Sequence, residues 1–125
     1  MISQRKPTNN DIVEKIQEMF LVLQSVDVKW TTPEIMSNFL KCTIKFLDED
    51  IENQINTIVN LTSTFLIENG LVEKGIIDDS AMKDHYNKPG YKMCVDFSLF
   101  QLKYDNGQII KKDIIEHSVE DEYEE

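Results

Sequence analysis

The stretch that decides the fold runs from Leu47 to Asp78 and reads LDEDIENQINTIVNLTSTFLIENGLVEKGIID. Its apolar residues recur at spacings of three and four, as a helix with one buried face requires. They are Ile51, Ile55, Ile58, Val59, Leu61, Phe65, Leu66 and Ile67. Gly70 stands where a helix needs a left-handed residue to end, and the apolar residues after it indicate a short strand through Ile77. This stretch therefore predicts a long amphipathic helix, a glycine stop and a strand.

Two further helices are predicted upstream of this stretch. The first begins at Asn10 or Asp11, after a loose arm over residues 1–9, and fades near Ser25. A short extended piece over residues 28–30 follows it. Thr31-Thr32-Pro33-Glu34 then combines a threonine cap, a proline in the first turn and an acid, which indicates the start of a second helix. The chain before Leu47 thus reads as helix, short strand, helix.

The chain downstream reads as loop, strand, turn and strand. Residues 78–91 are polar and contain Pro89-Gly90, which predicts a loop. Residues 91–102 are rich in aromatic and β-favouring side chains, which predicts one strand. Asn106-Gly107 supplies the two positive φ angles of a tight hairpin turn, so residues 108–115 should pair back onto the preceding strand. Residues 116–125 form an acidic tail, which we expect to be disordered.

The ending Glu68-Asn-Gly-Leu-Val-Glu-Lys-Gly75 resembles the end of the third helix and the first wing strand of winged-helix domains. The order of the predicted elements agrees with this resemblance over roughly residues 10 to 100. It implies an α+β fold: a winged-helix-like three-helix core with a C-terminal β-hairpin wing and an extra strand, spanning residues 10–115. It also implies a binding role, since winged-helix domains include both DNA readers and protein-interaction modules.

Length and charge limit the classes of function. A chain of 125 residues fits one domain. No apolar run approaches the roughly 20 residues of a membrane helix, and the N-terminus does not resemble a secretory signal. We therefore expect an intracellular protein of the nucleus or cytoplasm without membrane contact, and reduced, buried thiols at Cys42 and Cys94. The net charge is −10, and six of the acids lie between Glu116 and Glu125.

The sequence shows no constellation of residues that indicates catalysis. His85 and His117 have no nearby partner in a recognised nucleophile arrangement. The four glycines never form a phosphate-binding series, and cysteine and histidine do not occur at metal-ligand spacing. The sequence therefore predicts no enzymatic activity, no cofactor and no metal.

The third predicted helix bears most directly on the choice of ligand. From Leu47 to Asn69 it contains no Lys or Arg, and it has five acids, four of them at its start. A DNA-reading helix would carry the opposite charge, since phosphates are bound by Lys and Arg. Two other features favour nucleic acid instead, namely a polar asparagine stripe on this helix and lysines on the wing. These candidate nucleic-acid-binding residues are Asn53, Asn56, Asn60, Lys83, Lys88 and Lys92.

The leading interpretation is a non-catalytic interaction module, a small subunit of a larger nuclear or nucleic-acid-handling protein assembly. Its candidate partner-binding residues are aromatic, namely Trp30, Tyr86 and Tyr91, because tryptophan and tyrosine dominate interface hot spots. Trp30 also has a structural interpretation, packing between the first two helices and the wing. The alternative function is a DNA-binding regulator that uses the third helix and the wing. A third is an acidic mimic of nucleic acid whose carboxylates occupy a partner's phosphate site.

Overall fold

The computed structural model describes residues 6–45 and 47–114. Within them the chain is α+β, as the sequence predicts, with three helices and two small antiparallel sheets. The helices are α1 (Asn9–Ser25), α2 (Pro33–Thr43) and α3 (Glu49–Glu68). The strands are β1 (Trp30–Thr31), β2 (Val72–Ile76), β3 (Pro89–Met93), β4 (Phe100–Asp105) and β5 (Gln108–Asp113). The predicted acidic tail and the first five residues of the predicted arm lie outside the described residues.

Each helix begins at a side-chain cap. Thr32 and Asp48 cap α2 and α3 by accepting hydrogen bonds from backbone N–H groups three residues on. Helix α1 begins at Asn9, so the predicted start at Asn10 or Asp11 is wrong by a residue or two. The cap is Thr8, whose hydroxyl accepts from the Asp11 N–H while the Asp11 carboxylate accepts from the Thr8 N–H. This reciprocal capping box satisfies two free amides at once.

The end of α3 confirms the predicted glycine stop. Gly70 adopts a φ of 69°, the left-handed region that glycine enters without strain. The Leu71 N–H then donates to the Leu66 carbonyl at 2.9 Å, and the Gly70 N–H donates to the Ile67 carbonyl at 3.1 Å. These two bonds satisfy carbonyls that the helix end would otherwise leave free. They also direct the chain straight into β2.

The first sheet has the strand order β1-β3-β2. The predicted loop over residues 78–91 is too long, because Pro89 and Gly90 belong to β3 and pair with Ile76 and Gly75. Proline is tolerated as the first residue of a strand. Gly90 is required here because the Ile77 side chain lies 2.6 Å from where a Cβ would stand. Close packing, rather than a turn, explains this Pro-Gly pair.

The strand predicted over residues 91–102 is two strands. β3 ends at Met93, and a 3-10 turn over Phe97–Leu99 precedes β4. The Asp96 carboxylate starts that turn by accepting from the Ser98 N–H at 2.9 Å. Phe97 is fully buried, and its ring stacks on Phe20 of α1 at a centroid distance of 4.1 Å. The turn between β3 and β4 thus places the Phe97 ring in the core.

The predicted C-terminal hairpin is confirmed. Asn106 and Gly107 have φ angles of 54° and 88°, and β4 pairs with β5 from Asp105↔Gln108 onward. The two strands form a sheet of their own that packs on α1 and α3. Leu102 and Ile109 lie in the same buried cluster as the helix residues. The hairpin is therefore part of the core.

Candidate interaction surfaces

The outward face of α3 is acidic at its start and neutral along its middle. Glu49, Asp50 and Glu52 are exposed, close to where the positive end of the helix dipole lies. The three asparagines of the predicted stripe, Asn53, Asn56 and Asn60, are exposed as well. Since α3 contains neither Lys nor Arg, this face has no cationic group of its own to bind phosphate. Carboxylates lie at the N-terminal end of this face, and side-chain amides lie along its middle.

The predicted anchor Trp30 is buried, with only 6% of its surface exposed. Its ring lies over Gly75, so close that a Cβ there would stand 3.1 Å from the ring. Its indole N–H donates to the Asp78 carboxylate at 3.0 Å, and the Lys92 ammonium lies 5.9 Å from the ring centroid. Trp30 thus joins β1 to both strands of the β2–β3 hairpin, the segment predicted to be a wing and so called below, while its role in partner binding stays a prediction.

The two tyrosines predicted to bind a partner occupy different settings. Tyr86 is 48% exposed and lies in the loop between β2 and β3. Tyr91 is half-buried on β3, where it packs against the core and pairs with Thr31 of β1 and Lys74 of β2. Tyr86 is therefore the member of the aromatic set that presents a large free surface.

The wing lysines are exposed but stand among acids. Lys83 and Lys88 lie in the loop, and Lys92 lies on β3 opposite Glu73. Residues 71–93 contain four lysines, and the same segment contains four acids: Glu73, Asp78, Asp79 and Asp84. With His85 neutral, the formal net charge of the wing is therefore zero. The lysines are accessible to a ligand, yet they are not a uniformly positive surface.

A ladder of side-chain amides, not predicted from the sequence, joins α1 to β4 and to the segment before it. Gln17 donates to the Phe97 carbonyl at 2.8 Å and the Phe100 carbonyl at 3.0 Å, and accepts from the Leu102 N–H at 2.8 Å. Gln17 is only 8% exposed, so these three bonds form away from water. Buried polar groups destabilise the fold when they lack a hydrogen-bond partner, and they favour one arrangement of the core when every partner is present.

Two further amides extend the ladder one heptad in each direction. Gln24 donates to the Val95 carbonyl at 2.7 Å and accepts from the Phe97 N–H at 2.9 Å. Asn10 accepts from the Tyr104 N–H at 2.8 Å. The spacing of seven among Asn10, Gln17 and Gln24 was a signal available in the sequence, because residues seven apart share one helix face. These three side chains mark the face of α1 on which the C-terminal hairpin packs.

Two of the clefts on the surface lie beside predicted site residues, Asn60 and Tyr91. One lies between α3 and the start of β5, at about 330 Å³. It has an apolar floor and a polar rim, formed by Asn60, Leu61, Thr64, Phe65, Glu68, Gln108 and Ile109. The other lies between the start of α2 and the wing, at about 280 Å³, beside Tyr91. Both are open clefts on the surface.

The titratable groups of the described residues do not form a reactive cluster. Partial desolvation raises the pKa of the Cys94 thiol, and the nearby Glu73 carboxylate adds to the effect, so the thiolate is disfavoured. Cys94 and Cys42 are both exposed, which corrects the expectation that they are buried. Cys94 follows the last residue of β3, where the chain leaves the sheet. In the part of the chain that the structure describes, no three His, Cys, Asp or Glu side chains are grouped so as to hold a metal ion.

Comparison with protein-family models, with curated proteins and with solved structures finds no match to this chain. Among the described residues, no helix is both long and apolar enough to cross a membrane.

Proposed function

We propose that this chain is a non-catalytic interaction module with a winged-helix fold, a small subunit of a larger nuclear or nucleic-acid-handling protein assembly. The order of its elements, three helices with β1 between the first two and a β2–β3 wing after the third, supports the winged-helix resemblance. The pairing of β1 with β3 supports it further, because it joins the helical part to the wing.

The acidic face of α3 is the observation that carries this proposal. In a DNA-reading domain of this kind the third helix enters the major groove, and its first residues meet the phosphates. Here that position holds the exposed carboxylates of Glu49, Asp50 and Glu52. Each carboxylate at roughly 4 Å from a phosphate would be disfavoured by about 1 kcal/mol in water. Three such contacts oppose binding where a DNA reader gains from counterion release.

A basic protein surface fits the same face. Complementary charge speeds encounter and fixes orientation, while exposed apolar groups supply the buried area. On the wing, Tyr86 and Ile76 are 48% and 54% exposed, and Asp79 and Asp84 lie beside them in sequence. The function that this supports is docking of a basic partner through an apolar contact rimmed by acids.

Affinity purification of the tagged full chain from its own cells, with and without nuclease, tests this proposal. We expect protein partners at constant stoichiometry that survive nuclease digestion and dissociate as salt is raised, since screening weakens exposed charge pairs. A variant with Glu49→Gln, Asp50→Asn and Glu52→Gln should recover less partner, while the matched change Glu18→Gln on α1 should not. Loss of every protein partner on nuclease treatment would contradict the proposal.

A second candidate function is a DNA-binding regulator, and one observation favours it. Asn53, Asn56 and Asn60 are all exposed on α3, and asparagine amides can pair with adenine in the major groove. The exposed Lys83 and Lys88 could then contact the phosphate backbone from the wing. This function requires direct binding to duplex DNA by the isolated chain.

A further inference from the structure

The register of the C-terminal hairpin fixes which backbone groups of β5 face outward. In a hairpin closed by two residues, Asp105 and Gln108 form the first hydrogen-bonded pair, and such pairs then alternate with non-hydrogen-bonded ones. Ile109 and Lys111 fall in the non-hydrogen-bonded pairs with Tyr104 and Leu102. Their N–H and C=O groups therefore point away from β4, toward the outer edge of β5. Lys111 is exposed there, whereas Ile109 is only 6% exposed and lies at the base of the groove described below.

The two strands of this small sheet differ in what binds their outward backbone groups. On β4, the outward groups of Phe100, Leu102 and Tyr104 are bound by the side-chain amides of α1 described above. On β5, the only strand partner among the described residues is β4. An edge that lacks a second neighbour presents a row of donors and acceptors at the spacing of an added strand.

The groove between α3 and β5 meets this edge at the start of the strand, where Gln108 and Ile109 line it. Because the β4 edge faces α1, the β5 edge lies on the side of α3, whose residues Leu61 and Phe65 form the apolar floor together with Ile109. An added strand would therefore place alternate side chains onto apolar surface. Glu68 stands on the rim, and α3 offers no Lys or Arg to balance it.

We propose that this groove binds an extended peptide segment of a partner protein, added as a third strand to the outer edge of β5. The occupant has apolar side chains at alternate positions and a Lys or Arg that reaches Glu68. This inference rests on the proposed function, since it names a further surface, and the peptide chemistry, through which the module would bind a protein. It also gives a use to the hairpin, which is additional to the three helices and the wing.

Selection from a random nine-residue peptide library displayed on phage, with the full chain as the target, tests the proposal. We expect enriched peptides with alternating apolar residues and a basic residue. A synthetic copy should perturb the backbone amide resonances of Ile109 and Lys111. Methylating the backbone nitrogens of alternate peptide residues should weaken binding at least tenfold, because those N–H groups would pair with β5. No enrichment, or binding indifferent to methylation, would overturn the proposal.

Two variants of the chain locate the site. Lys111→Pro removes an outward N–H without breaking a β4–β5 bond, so peptide affinity should fall at least tenfold, whereas the matched Lys111→Ala should keep it within about twofold. Thr64→Arg fills the groove from an exposed position and keeps the test valid if the proline variant does not fold. Equal binding by wild type and Thr64→Arg would refute the site. Retention of nuclease-resistant partners by Thr64→Arg would refute this inference and leave the proposed function standing.

Discussion

Replacing Gln17 by Met tests whether the C-terminal hairpin is held to α1 by buried amide bonds. Methionine has nearly the volume of glutamine, so the change leaves the packing and removes the amide. The Phe97 and Phe100 carbonyls and the Leu102 N–H then lose the partner that lies 2.8–3.0 Å away. If apolar contacts alone held the hairpin to α1, this substitution would change the free energy of unfolding little. If the amide bonds contribute, the free energy of unfolding should fall.

The expected loss is large because the site is buried. A buried group left without its partner costs about 1–3 kcal/mol. Gln17 is 8% exposed, and three backbone groups are affected. Allowing for some relaxation toward water, Gln17→Met should lower the free energy of unfolding by about 3–5 kcal/mol. A domain of this size has roughly 5–15 kcal/mol in all, so its Tm should fall by roughly 10–20 °C.

Urea unfolding followed by far-UV circular dichroism and by Trp30 fluorescence measures this effect. The midpoint should fall with both probes in agreement, because the hairpin and the helices unfold together. Gln54→Met is the matched control. Among the described residues its amide bonds to Pro7 and Asn9, near the N-terminus of α1, so it should change stability by about 1 kcal/mol or less. A loss below about 1 kcal/mol for Gln17→Met would refute the reasoning.

Three further predictions concern single side chains. Thr62 is fully buried, and its hydroxyl has no hydrogen-bond partner in the part of the chain that the structure describes. Thr62→Val should therefore stabilise the fold by about 1 kcal/mol in thermal unfolding, while Thr64→Val on the exposed side should change it little. Asp78→Ala removes the acceptor of the Trp30 N–H. It should cost about 1 kcal/mol and alter the emission of this sole tryptophan, and an unchanged spectrum would contradict the assigned contact. Hydrogen bonds from the Ser98 backbone N–H and hydroxyl lower the pKa of Asp96 below its ordinary value. This contribution to stability is thus present above the ordinary pKa and lost as pH falls through the folded pKa, and an NMR titration finding a raised pKa would contradict it.

The parts of the fold that follow from local chemistry could be predicted from the sequence. Gly70 ends α3 and Asn106-Gly107 turns the hairpin, because each needs a positive φ that few residues adopt. Thr32 and Pro33 start α2 for a similar local reason. Such signals act within one turn of chain and do not depend on what packs nearby.

The parts that depend on distant contacts could not be predicted in the same way. Phe97 interrupts the predicted strand because it stacks on Phe20, seventy-seven residues earlier in the chain. The reason that Gly90 lies in a strand is the Ile77 side chain packed against it, which no turn rule contains. Gln17 carried a readable heptad spacing, but its backbone partners in the hairpin were not identifiable from the sequence.

The candidate interaction surfaces could likewise be predicted only where they depend on local sequence. The sequence indicates the charge of α3, which follows from its composition, and the exposure of its asparagines, which follows from helix periodicity. It does not reveal that Trp30 is buried over Gly75, nor that β5 borders a groove on α3. Those two facts shift the expected partner surface from Trp30 toward Tyr86 and the β5 edge.

Binding of the full chain to mixed-sequence duplex DNA, measured by fluorescence anisotropy at low and moderate salt, tests the central claim most directly. The acidic face of α3 and the balanced charge of the wing predict no binding even at low salt, where electrostatic attraction is strongest. The variant Lys83→Ala/Lys88→Ala/Lys92→Ala should then behave as the wild type does. Salt-sensitive binding that this variant loses would contradict the account and identify a DNA-binding protein that acts through its wing.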